Sequence, residues 1–64
     1  MTYEIKVKEW LDTTYASWFD ELTITHTVEG NTQLKGLLVD QAALYGVLER
    51  CRNLGLTLIS VNLV

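Results

Sequence analysis

Residues 40–61 read DQAALYGVLERCRNLGLTLISV, running from Asp40 to Val61. Within them Leu44, Val47, Leu48, Cys51 and Leu54 recur at steps of three and four, the spacing of one apolar helical face. Gln41, Glu49, Arg52 and Asn53 fall on the opposite side. Asp40 is placed to cap the first turn, at the positive end of the helix dipole. Arg50 and Arg52 lie near the negative end, where cations are stabilising. Gly55 is suited to the left-handed residue that ends a helix. Leu56 to Val64 follows as a last strand rich in branched residues.

Upstream, Tyr3, Ile5 and Val7 alternate with Glu4, Lys6 and Lys8, the period of a strand with one buried face. Asp12 precedes Thr13-Thr14 as a second cap position, and Tyr15, Trp18, Phe19 and Leu22 take helical spacing. Two threonines are weak helix formers, so this helix is expected to run two turns at most and to be partly 3₁₀. Its spacing assigns Trp18 and Phe19 to the core. Alternation then returns, with Leu22, Ile24, His26 and Val28 on one face and Thr23, Thr25 and Thr27 on the other. Glu29-Gly30-Asn31 reads as a turn and Thr32 to Val39 as the returning strand. A two-residue loop would pair Val28 with Gln33, whereas a three-residue loop pairs Leu22 with Leu38, Ile24 with Gly36 and His26 with Leu34. The second keeps more apolar groups together and requires a bulge or a left-handed residue near Gly30.

The element order is βαββαβ, and the expected class is α+β. The simplest arrangement is ferredoxin-like with a short first helix: a four-stranded antiparallel sheet in order 4-1-3-2, both helices on one face. The alternative reduces the first helix to a turn and leaves βββαβ on the same sheet. The 64 residues make a single domain.

The helices are expected to cover Tyr3, Ile5, Val7, Leu22, Ile24, Leu34 and Leu38. The other face carries Glu4, Lys6, Lys8, Thr23, Thr25, Thr27, Gln33 and Lys35, but Trp10, Leu37 and Val39 share its parity. In the last strand Leu56 and Leu58 point one way and Ile59, Val61 and Leu63 the other, so one row is expected to face away from the helices. A strand apolar on both faces is normally covered on both. In a single-sheet domain the second cover is another subunit. A chain this short buries only about 60% of its unfolded surface, and a partner supplies stability that a small core lacks. Homo-oligomerisation through the open sheet face or the edge strand is therefore expected. Trp10, Leu37, Val39, Ile59, Val61 and Leu63 are the interface candidates, with Trp10 as the anchor. Another protein is the alternative cover.

Apolar residues at 48% and a net charge of −3 argue against disorder. A sequence pI near 4.8 argues against nucleic acid and anionic membranes as partners. One cysteine and one histidine exclude an internal disulfide and a four-ligand zinc site, so no metal or cofactor is expected. The charged alternation after Met1 is no secretory signal, and no run approaches the ~20 apolar residues of a membrane helix. A cytoplasmic protein with a stable lone thiol is the expectation. His26 is expected as a half-buried imidazole at the sheet rim, bonded to backbone, and Cys51 as an inert member of the helix stripe. Asp20, Glu21 and Glu49 read as solvated charges. No catalytic set stands out: there is no phosphate loop, paired-glycine fingerprint or metal motif.

The stretch from Asp40 to Val61 also resembles a family of short bacterial proteins of uncharacterised function. The resemblance lies in Asp40-Gln41-Ala42-Ala43-Leu44, Leu54-Gly55-Leu56 and Leu58-Ile59-Ser60-Val61, with Trp18-Phe19 and Leu22-Thr23-Ile24-Thr25-His26 similar to the family's middle. Tyr45 stands where relatives often have histidine and Asn53 where they often have aspartate, so no catalytic histidine carries over at that helix position. The resemblance implies a small bacterial cytoplasmic protein and supplies no activity. The functional expectation is a non-enzymatic, self-associating interaction module. Its rivals are a small ligand-sensing domain, by fold analogy, and a redox or enzymatic role using Cys51 and His26.

Overall fold

A computed structural model describes residues 1–19 and 22–64 of the chain. Asp20 and Glu21, expected as solvated charges, lie outside the described residues. The elements run β1 (Thr2–Val7), a 3₁₀ helix (Thr13–Phe19), β2 (Thr23–His26), β3 (Thr32–Leu37), α1 (Gln41–Asn53) and β4 (Leu58–Leu63). The sheet order is β2-β3-β1-β4, and each neighbouring pair is antiparallel. This is the expected α+β class with its 4-1-3-2 order. It is consistent with a ferredoxin-like fold in which the first helix has shrunk to a 3₁₀ helix.

The helix α1 ends where its sequence says it should. Asp40 is extended, and its carboxylate accepts from the Ala43 amide at 2.8 Å. At the far end the Leu56 amide donates to the Cys51 carbonyl at 2.9 Å and the Gly55 amide to Arg52 at 3.0 Å. These two bonds form a Schellman closure, and Gly55 takes the left-handed φ of +75° it requires. Leu44, Val47 and Cys51 are buried, while Leu48 and Leu54 pack at the core's margin.

The seven-residue helix after β1 is 3₁₀ throughout. Asp12 caps it, accepting from the Thr14 amide at 2.9 Å. At three residues per turn, side chains i and i+3 align, and this corrects the 3.6-period reading. Phe19 is fully buried and Ala16 packs on the core, but Trp18 falls outside the buried row and is 53% exposed. It meets Tyr15 edge-on, with ring centroids 5.7 Å apart.

The hairpin register also departs from expectation. Ile24 pairs with Leu34 and His26 with Thr32, where Gly36 and Leu34 were expected. The loop is three residues long as read, but it spans positions 28–30, not 29–31. The Thr27 amide donates to the Asn31 carbonyl at 2.9 Å, and the Thr27 hydroxyl accepts from the Asn31 amide at 3.1 Å. Gly30 supplies the left-handed residue at φ +85°. Sliding the loop by one position moves every pair by two, so the faces keep their parity and the core residues stay inward.

A bulge in β4 overturns the expectation that one apolar row faces away from the helices. Ser60 pairs with Lys6, but Leu58 pairs with Val7, leaving Ile59 as the extra residue. The shift resets the alternation. Leu58, Val61 and Leu63 all stand opposite Val7, Ile5 and Tyr3, on the helix-covered face, while Ser60 and Asn62 take the open one.

The core joins Tyr3, Ile5, Val7, Leu11, Phe19, Leu22, Ile24, Leu34, Leu38, Leu44, Val47 and Cys51 in one cluster. Ile5, Val7, Phe19, Leu34 and Val47 are fully buried, each contributing about 1.5–3 kcal/mol by removal from water.

Candidate functional site

The two ends of the sheet order are not alike. β2 has four residues, three of them threonine or histidine, and the 3₁₀ helix packs against it. β4 has six residues and borders only β1. The Val64 amide donates to the Thr2 carbonyl at 2.8 Å, so in an antiparallel ladder the peptide groups of Asn62 and Ser60 also face β1. Those of Val61 and Leu63 then point out of the sheet. The side chains along this edge are apolar and incompletely covered: Leu58 is 49% exposed, Leu63 62%, and Val61 packs partly on the core.

The open face is mostly polar. One row across the strands is Thr25, Gln33, Lys6 and Ser60; the next is Thr23, Lys35, Glu4 and Asn62. Among the described residues of this face, apolar groups gather where Leu37 and Val64 flank Thr2. The six interface candidates thus divide. Leu37, 75% exposed, is on the open face, and Val39 is exposed beyond the end of β3. Val61 and Leu63 are on the opposite face, Ile59 is at the bulge, and Trp10 is in the segment after β1.

That segment is a second place where the fold gathers polar groups. The Thr32 hydroxyl, fully buried, donates to the Glu9 carbonyl and accepts from the Leu11 amide, both at 2.7 Å. His26 Nε2 lies 2.7 Å from the Leu11 carbonyl, which can only accept, so Nε2 carries the proton. The Trp10 ring stacks on the imidazole with centroids 4.2 Å apart and planes 8° from parallel. The Glu9 carboxylate accepts from the Thr57 amide and hydroxyl, each at 2.7 Å. Those two bonds, the amide's foremost, hold the Glu9 carboxyl below its ordinary pKa. The Thr14 amide does the same for Asp12. His26 is therefore the half-buried, backbone-bonded imidazole that its position implied. Its stacking with Trp10 had no signal in the sequence, because residues 10 and 26 meet only through tertiary packing.

Cys51 is buried in the core, and burial pushes its thiol pKa up, away from the reactive thiolate. His26 is engaged by Leu11 and Trp10, and no hydrogen bond joins it to Cys51 among the described residues. Nor do those residues hold a group of three His, Cys, Asp or Glu side chains able to bind a metal ion. Among them no helix is long and apolar enough to cross a membrane.

A family model described as a domain of unknown function, DUF8691, matches residues 2–62. The chain belongs to the DUF8691 family. The match spans both halves of the fold, from β1 to all but the last residue of β4. It agrees with the resemblance in the Asp40–Val61 stretch, and DUF8691 likewise carries no established activity. No curated protein and no solved structure matches the chain.

Proposed function

We propose that this chain is a non-enzymatic protein-interaction module whose docking surface is the β4 edge, where a partner adds an extended strand. The observation that carries the reading is the edge itself. The outward peptide groups of Val61 and Leu63 lie beside half-exposed Leu58, Ile59 and Leu63. A strand laid there gains main-chain hydrogen bonds and covers apolar side chains in one step. The polar rows of the open face offer much less apolar area. A cytoplasmic setting suits the lone thiol of Cys51.

Amide spectra of dilute labelled protein test this, with the peptide Lys-Thr-Val-Thr-Val-Thr-Lys as a generic strand probe. Shifts should concentrate in β4 and the Val61 and Leu63 amides should gain protection from exchange. Leu63→Pro removes one outward donor, leaves the β1–β4 bonds intact and should weaken the response, since an edge strand tolerates proline there. Shifts confined to β2 or the open face would sink the proposal.

A further inference from the structure

We infer that the strand added to this edge is β4 of a second copy, antiparallel and related by a two-fold axis at Val61. The inference rests on the edge-docking reading and names its partner. It comes from the pattern Ile59-Ser60-Val61-Asn62-Leu63, which is the same in polarity read from either end. An antiparallel pair centred on Val61 sets Val61 against Val61 of the second copy. Ile59 then meets Leu63 of the second copy, and Ser60 meets its Asn62. Apolar groups face apolar groups on the helix-covered side, and polar groups face polar groups on the open side. The hydrogen bonding agrees, because Val61, at the axis, has its peptide groups pointing out of the sheet. A two-fold interface must be self-complementary in this way.

Charge points to the same partner. The chain carries −3 overall, yet positions 53–64 contain no charged side chain. Two copies therefore meet at this seam without the like-charge contacts that destabilise facing strands. The product is one continuous eight-stranded sheet with the helices of both copies on the same face. Leu63 and Ile59, half-exposed in one copy, cover each other across the seam.

Light scattering from micromolar to millimolar concentration, combined with register-specific cross-linking, tests the inference. Ser60 and Asn62 face each other in a non-hydrogen-bonded pair, whose close approach suits a disulfide. Ser60→Cys and Asn62→Cys chains, mixed and oxidised, should give a cross-linked dimer, while either variant alone should give none above the wild-type blank. The wild-type thiol, Cys51, is buried. Circular dichroism of each variant verifies that it folds. A mass that doubles with concentration and a cross-link confined to the mixture is the expected result. A monomeric mass throughout, or cross-links equally strong in the single variants, would overturn it. A monomer whose β4 amides still answer the strand probe overturns the second copy as partner and keeps the docking edge. A monomer whose amides ignore the probe overturns both.

Discussion

Thr32 ties two distant segments of the chain together at one oxygen. Its hydroxyl is the junction between the segment after β1 and the start of β3, bonded to Glu9 and Leu11 at once. Thr32→Val keeps the shape and removes the bonds, leaving a buried amide and a carbonyl without partners. The expected loss is about 1–3 kcal/mol, measured by urea unfolding, with a change in Trp10 fluorescence as its stack on His26 loosens. Glu9 acts from the same segment through Thr57. Its folded pKa is lowered, so its contribution is present above the ordinary carboxylate range and is lost as pH falls through the lowered value. The melting-temperature gap between wild type and Glu9→Gln should therefore close on acidification. A gap that stays constant from neutral to acid pH would contradict the assigned bonds. The sequence does not carry this: Thr32 is one threonine among several in alternating strands, and its partners lie over twenty residues away.

At the scale of elements, α1 is the part in which local rules and the final structure coincide. Cap, stripe and closure are all nearest-neighbour effects along one helix, which is why residues 40–55 could be read directly. Gly55→Ala forces a side chain into the left-handed region at φ +75°, with open space around the new Cβ. The cost should thus be purely backbone, about 1–2 kcal/mol by thermal unfolding. Trimming a fully buried leucine to alanine costs roughly 2–5 kcal/mol. Leu48 sits at the core's margin, so chemical denaturation should find the low end of that range, about 2 kcal/mol. A loss near 5 kcal/mol would mean that this side chain is covered, for instance by another subunit. The 3₁₀ helix was harder to read. Its apolar spacing fits both a 3.0 and a 3.6 period over so few turns, and only packing of Phe19 decided between them.

For the whole molecule, what matters is the contrast between its two sheet edges. The β2 edge is short, threonine-rich and packed against the 3₁₀ helix, whereas β4 is longer, uncharged and bordered on one side only. If folded chains associate through β4, association stabilises only the folded state, and melting temperature rises with protein concentration. Wild type should show that rise and Leu63→Pro should not. An equal rise in both would place the contact elsewhere, with the Leu37–Val64 end of the open face as the next surface to test.

By itself the sequence determined the class, the strand order, the helix with both its ends and the inward residues of the first three strands. These follow from periodicity, capping and loop length, which act between residues close along the chain. Tertiary structure alone decided the hairpin register, the β4 bulge, the exposure of Trp18 and the Trp10–His26 stack. In each case several local solutions have nearly the same energy, and contacts between distant residues select one. The bulge has the widest consequence. One extra residue at Ile59 turns a strand that read as apolar on both faces into one with a polar open face and an apolar rim.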